Sequence, residues 1–492
     1  MIPPQRLNMA VHCLLATAER LPDATALVVV DPTEAAAEPP SWTYAQLSEA
    51  VRRAAGAMRD AGLRPGGRVL LRLENGPAFP VAYFGAIAAG GVAMPLSPQL
   101  SGEELSRIAA EAEPDLALVS DDAPTFDAAG AARLNRLDGP AIEPADTNAD
   151  DPALLIYTSG TSGRPKGVLH AHRAAWARRS MHEGWHGIAE GDRVMHSGAF
   201  NWTYTLGCGL GDPWSVGATA IIAQGQPKPA DWPLLAARHR PTVFATVPGL
   251  LRRIVKYGEG LGSGFASVTR TLSAGEALAA PVQSAWEDAT GHPVLTALGM
   301  SECSTFVSAS ASRPARDGLA GWPQPGRKVG VIGSDGREAE EGTLAVHRSD
   351  PGLMLGYWRD EQATEAAFSG DWFLTGDRVA REAGGALRYL GREDDQMNAQ
   401  GYRVAPQEVE AALLSHPAVA DCAVAEREVE AGLSVIVAWV VLEAVVDESA
   451  LATWAADRLA AYKRPRAYEF VKSLPRSANG KLQRRALTRA TH

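Results

Sequence analysis

Cysteine is scarce in this chain: four residues in 492, at Cys13, Cys208, Cys303 and Cys422, far apart and with no CxxC or Cys/His pair. That spacing fits neither a disulfide framework nor a cysteine zinc site, so free thiols in a core or pocket are expected. Positive charge is short as well. The formal net charge of −10 argues against a general nucleic-acid binder, because a phosphate backbone rewards a basic face. No apolar run is long enough to cross a bilayer, and the best candidate, 434–442, reads as a buried strand. The opening MIPPQRLNMAVHCLL lacks the basic start and apolar stretch of a secretory signal, so a cytoplasmic protein is expected. There is no internal repeat.

What is present is an ordinary globular composition, 46% hydrophobic and 21% charged, in a chain long enough for a large unit and a smaller one. Short β-branched runs at 26–30, 68–73, 116–120, 220–223 and 242–247 alternate with helix-forming stretches such as 44–61 and 103–113. That alternation predicts βα units around largely parallel sheets. Residues 121–151, rich in Ala, Asp and Pro, read as an irregular connection. Near residue 391 the pattern changes. After the polar turn Glu393-Asp394-Asp395 comes a compact α+β pattern: helix 406–415, strands 420–425 and 435–442, helix 448–461, strand 467–471. The expected division is a domain of 1–390 and a domain of 391–492.

Residues 157–170 read YTSGTSGRPKGVLH and follow the apolar run 153–156. Thr158, Ser159, Gly160, Thr161, Ser162 and Gly163 form a loop of small hydroxyl and glycine residues, with Arg164 and Lys166 supplying charge. Such a loop can bring backbone N–H and hydroxyl donors close to phosphate oxygens. By composition alone a flexible turn is equally served. A Walker-type loop is excluded, because Lys166 lies between Pro165 and Gly167 rather than before Ser or Thr.

The order of this loop resembles the phosphate-binding signature of the AMP-forming adenylating superfamily, which includes acyl-CoA synthetases, peptide-synthetase adenylation domains and luciferases. Further stretches resemble it in the expected order: SAGEAL at 273–278, GMSE at 299–302 with Ser for the family's Thr, GYW at 356–358, WFLTGD at 372–377, GREDDQMNAQGYRVAPQEVE at 391–410, and PRSANGK at 475–481. The fold this implies is α/β, a large N-terminal domain of packed α/β sheets with a smaller, mobile α+β C-terminal lid. The activity implied is ligation of a carboxylic acid to a thiol through an acyl-adenylate, with ATP, Mg²⁺ and coenzyme A as co-substrates and AMP and pyrophosphate as products.

The resemblance also implies roles. Glu302 would hold Mg²⁺ and Ser301 would donate to the α-phosphate. Gly275, Glu276 and Ala277, with Leu298, Gly299 and Met300, would line the nucleotide pocket. Asp377 would accept from the ribose hydroxyls, and Arg392 would reach the sugar or a phosphate. Lys481 would bridge carboxylate and α-phosphate during adenylation. The C-terminal lid would then turn about Asp394, withdraw the lysine and admit pantetheine beside Gly401 and Tyr402. The basic stretch from Lys463 to Arg489 would suit the phosphates of CoA and ATP.

The acyl pocket is expected from residues 198–214 (GAFNWTYTLGCGLGDPW) and 297–304, with Phe200, Trp202, Tyr204, Gly299 and Cys303 as candidates and Phe306 nearby. Acetate-specific relatives carry Trp where Gly299 stands, so room beyond two carbons is expected. SAGEAL and HRPTVFATVPGLL (239–251) resemble benzoate-type ligases, which differ at Thr205 and Gly249. A medium-chain aliphatic or aryl acid is the expected substrate, with no nucleic acid or membrane span, and a homo-oligomer left open. The main rival is a stand-alone adenylating enzyme that loads a carrier-protein thiol; a luciferase-like oxygenase and a non-enzymatic nucleotide sensor are weaker alternatives.

Overall fold

The computed structural model describes residues 2–32, 38–121, 125, 127–158, 165–225, 227–316, 318–393, 397–399, 402–404, 406–430, 433–459, 463–476 and 482–489. The chain forms two compact units. One takes the residues up to Leu278 together with Val282–Val329 and Val346–Phe373; the other takes Ala279–Pro281, Gly330–Ala345 and the chain from Leu374 on.

The alternation seen in the sequence becomes two sheets in the first unit. In one, the parallel strands Thr25–Val30, Thr219–Ala223, Arg193–His196, Val243–Thr246, Arg270–Ala274 and Val294–Met300 lie side by side in that order, and Ser304–Ser308 closes antiparallel on Val294–Met300. Strands such as Thr219–Ala223 are buried at every position, which is why they read as unbroken apolar runs rather than alternating ones. The second sheet runs Gly356–Tyr357, Lys166–Ala171, Pro152–Thr158, Val92–Pro95, Arg68–Arg72, Leu116–Val119, Ala132–Arg133.

Helix Tyr44–Asp60 starts at Thr43, whose hydroxyl accepts from the Gln46 amide while the Gln46 side chain accepts from the Thr43 amide. Ser101 and Glu104 repeat this box at helix Gly102–Ala112. Leu47, Val51, Ala54, Ala55 and Met58 give Tyr44–Asp60 one buried face, each large side chain contributing about 1.5–3 kcal/mol of burial. Helix Ala78–Ala88 is buried nearly all round and carries Phe79, Tyr83 and Phe84 into the core beneath Trp214.

In the second unit, residues 377–381 of strand Trp372–Arg381 pair antiparallel with Leu387–Arg392, setting Asp377 opposite Arg392. Further on, Leu433–Leu442 pairs antiparallel with Val419–Glu430 and parallel with Ala467–Phe470. Helices Pro406–Leu414 and Glu448–Ala456 bury Val409, Leu413, Leu451 and Ala455 against Val424, Ile436 and Val440 of those strands. The run expected as a buried strand at 434–442 is therefore one, with Ile436–Val440 all buried. All four cysteines are free and buried. No helix among the described residues is long and apolar enough to cross a membrane.

Candidate active site

In an open parallel sheet, ligands collect at the carboxyl ends of the strands, where side chains converge and loops diverge. The sequence-derived residues of the first unit fall there. Phe200, Trp202 and Tyr204 follow Arg193–His196; Gly275–Ala277 follow Arg270–Ala274; Ser301 and Glu302 form the turn after Val294–Met300. Thr158 and Lys166 face each other as the last pair of the antiparallel strands Pro152–Thr158 and Lys166–Ala171. The expected phosphate-loop residues Ser159, Gly160, Thr161, Ser162 and Gly163 lie outside the described residues, as do Arg164, Asp394, Gly401 and Lys481. Tyr402 lies in a short strand, Tyr402–Val404, and its side chain is outside the description.

The turn carrying Glu302 is pinned from several directions. His170, on the strand that begins with Lys166, bonds the Ser301 carbonyl through Nε2 at 2.7 Å. Burial pushes the His170 pKa down to about 4 against a weaker opposing pull from that bond, so the ring is neutral and its Nε2 carries the proton it donates. The Met354 amide donates to the Glu302 carbonyl at 2.7 Å. The Tyr357 hydroxyl donates to Glu302 Oε1 at 2.9 Å, while Lys166 Nζ stands 4.8 Å from the centre of the Tyr357 ring. Tyr357 was given no role from the sequence, although it lies in the quoted GYW motif; nothing local shows that it reaches a residue 55 positions away.

Trp202 and the SAGEAL segment meet directly. Gly275 has φ of +103°, and a Cβ there would lie 2.5 Å from Cη2 of the Trp202 indole. Only glycine combines that backbone conformation with that approach. Trp202 packs edge-on to Tyr204, which packs edge-on to His196, with ring centres 5.4 and 4.6 Å apart. The Tyr204 hydroxyl donates to the Thr246 carbonyl at 3.1 Å, fixing this aromatic row to the sheet. Glu276 Oε1 accepts the Gly249 amide at 2.9 Å, satisfying an open N–H at the start of helix Pro248–Tyr257.

Other expected pocket residues turn inward. Phe200 is 3% exposed and stacks on Phe79 in the core, and Cys303 and Phe306 are fully buried. At Gly299 the strand register shifts, and an added Cβ would meet the Ser304 carbonyl oxygen at 2.4 Å. The glycine is thus required by the close passage of Ser304–Ser308; in this backbone a side chain at 299 would strike a strand before filling a pocket.

In the second unit, Asp377 is 7% exposed. Its Oδ1 accepts from the Tyr389 hydroxyl at 3.1 Å and lies 3.5 Å from Arg392 Nη1, which itself donates to the Thr375 carbonyl at 2.9 Å. Asp377, expected at the ribose, and Arg392, expected at the sugar or a phosphate, are thus brought together, and Tyr389 is an addition the motif did not signal.

A carboxylate held by the hydroxyl of a tyrosine whose ring lies over a lysine ammonium suits a metal-bound polyphosphate. Magnesium accepts one carboxylate completed by substrate phosphates and water, so the lone Glu302 fits it. Oε1 carries the tyrosine, and among the described residues nothing donates to the other oxygen. No group of three or more His, Cys, Asp or Glu able to cage a metal occurs among the described residues.

The chain matches the AMP-binding enzyme family over residues 14–358 and the AMP-binding enzyme C-terminal domain over 408–481. It is 32% identical to a benzoate–CoA ligase of Thauera aromatica over 480 residues, and 30% identical to a 3-hydroxybenzoate–CoA ligase of Aromatoleum sp. (strain CIB) over 475, with 90% of each chain covered in both cases. Its fold superposes on the crystal structure of the anthranilate CoA ligase AuaEII in complex with anthranoyl-AMP with a TM-score of 0.89 and 26% identity, covering 99% of this chain and 98% of that one. The chain belongs to the AMP-binding enzyme family, as an acid–thiol ligase of the AMP-forming acyl-CoA synthetase kind.

Proposed function

We propose that this enzyme activates an aryl carboxylic acid, benzoate or a benzoate with a small ring substituent, and transfers the aroyl group to coenzyme A in the cytoplasm. The observation that carries the adenylating half is the array Lys166, Tyr357, Glu302, with Lys166 paired to Thr158 at the ends of their strands. The aryl preference is supported by the benzoate-type names of relatives aligned over nearly the whole chain, and by the aromatic row Trp202–Tyr204 beside Gly275.

The chemistry sets the requirement. Both carboxylate and polyphosphate are anions, so the site must neutralise charge and hold the reactants in line. Magnesium bound by Glu302 would supply neutralisation at the phosphates. The Ser301 hydroxyl and the donors of Thr158–Gly163 would hold phosphate oxygens, Gly275–Ala277 and Leu298–Met300 would border the base, and Asp377 with Arg392 would bind the ribose. Lys481 would bridge acid and α-phosphate as charge develops. For the thiol step, the domain 391–492 would turn about Asp394 and bring Gly401 and Tyr402 to the pantetheine arm, one site serving two reactions by domain motion.

A pyrophosphate-release screen with CoA present tests the reading. Benzoate, hydroxybenzoates and anthranilate should exceed hexanoate and acetate by about tenfold or more in kcat/KM. Hexanoate equal to or better than every aryl acid would overturn the aryl assignment. Pyrophosphate without any acyl-CoA would favour a carrier-protein acceptor.

A further inference from the structure

We infer that Tyr357 is the positioning residue for the metal-ligand carboxylate, with Lys166 strengthening its hydroxyl as a donor. The inference rests on the reading of Glu302 as the magnesium ligand and adds a residue to that site.

A carboxylate that binds a metal through one oxygen needs its other oxygen held, or the group rotates among useless orientations. Ionised Glu302 can only accept, so the proton in the 2.9 Å contact comes from the Tyr357 phenol. Lys166 Nζ, 4.8 Å from the ring centre, lies within cation–π distance. A cation there draws electron density from the ring and makes the phenol O–H a stronger donor toward the carboxylate.

The tyrosine is itself immobilised. Its amide donates to Thr364 Oγ1 at 2.9 Å, and the Trp358 amide donates to the Gly167 carbonyl at 2.7 Å. Gly356 and Tyr357 pair with Leu169 and Val168, so the strand that begins with Lys166 also carries the tyrosine. The same short segment reaches Glu302 twice, through the Met354 amide to its carbonyl and through the Tyr357 hydroxyl to its side chain.

The test is direct Mn²⁺ titration of the full chain with α,β-methylene ATP bound, free Mn²⁺ being read by electron paramagnetic resonance. Tyr357→Phe should raise the Mn²⁺ dissociation constant about tenfold, with an unchanged thermal midpoint showing that the fold is intact. Glu302→Gln should raise it further, and adding Tyr357→Phe to Glu302→Gln should change nothing more, since the tyrosine acts through the carboxylate. Lys166→Met should give a smaller rise than Tyr357→Phe. Wild-type Mn²⁺ affinity in Tyr357→Phe, or full additivity of the two changes, would overturn the positioning role while leaving Glu302 as ligand. Unchanged affinity in Glu302→Gln would overturn the metal assignment and the positioning role with it.

Discussion

Arg178 grips Asp212 with both prongs of its guanidinium, Nε to Oδ1 and Nη2 to Oδ2, each at 2.6 Å, and the Asp212 side chain is only 3% exposed. The same guanidinium donates to Ser304 Oγ, and Nη2 lies 3.5 Å from Cys208 Sγ. One buried cation therefore joins Cys208 and Asp212, in the segment 198–214 from which the acyl pocket is expected, to the residue that follows the Glu302 turn. Burial alone would raise the Asp212 pKa; the charge and hydrogen bonds of Arg178 outweigh it and hold the carboxyl well below the usual range.

Breaking this pair should cost more than removing it. Arg178→Met leaves Asp212 buried without its cation and should destabilise the chain by about 3–5 kcal/mol, whereas Arg178→Met with Asp212→Leu should recover most of the loss. Urea unfolding midpoints measure both. A double variant as unstable as the single one would show that the pair stabilises by more than mutual neutralisation.

Stability should fall in mild acid because of buried histidines. Burial pushes the pKa of His12, His170, His172 and His186 down to about 4 and that of His196 to about 3. Their folded values lie below the unfolded value of about 6.5, so their contribution is whole above that pH. It declines as the pH falls toward the folded values, by up to about 3 kcal/mol for each of the first four and about 5 kcal/mol for His196. Asp212 adds to the loss only lower, below the unfolded aspartate value of about 3.9. Denaturant midpoints measured from pH 7.5 to 4.5 should decline steadily, and a flat profile would contradict the burial of neutral imidazoles.

Gly275→Ala should strain the backbone by about 1–3 kcal/mol at its positive φ and push the Trp202 indole away. KM for both ATP and the acid should rise by roughly tenfold, because one contact borders both expected subsites. Trp202→Ala in the wild-type background should instead admit bulkier acids without changing KM for ATP. Kinetics with benzoate and a naphthoate, varying each substrate in turn, separate the two effects; a Gly275→Ala enzyme with wild-type constants would show that a Cβ at 275, 2.5 Å from the indole as it stands, leaves both subsites undisturbed.

Lys481→Ala should abolish pyrophosphate release yet leave thioester formation from supplied aroyl-adenylate nearly intact, since the lysine is assigned only to the step in which negative charges meet. Single-turnover assays of each half-reaction give the answer. Parallel loss in both would mean that the lysine serves the thiol step as well.

Much of this protein was legible before any coordinates. Runs such as 26–30 and 220–223 became strands Thr25–Val30 and Thr219–Ala223, and the periodic stretch 44–61 became helix Tyr44–Asp60, because these patterns arise from backbone geometry acting over a few residues. The order of motifs from the hydroxyl-rich loop to PRSANGK was likewise enough to indicate the family. Which side chains meet was another matter. Tyr357 finds Glu302 because a two-residue strand is added beside Lys166–Ala171, and Arg178 finds Asp212, 34 positions further along the chain. Phe200 turns to the core, and Gly299 is required by the close passage of a neighbouring strand. The sequence by itself determined the elements and the chemical vocabulary of the site. Only the tertiary structure decided the partners, because strand order and close packing are set by burial across the whole unit and leave no periodic trace along the chain.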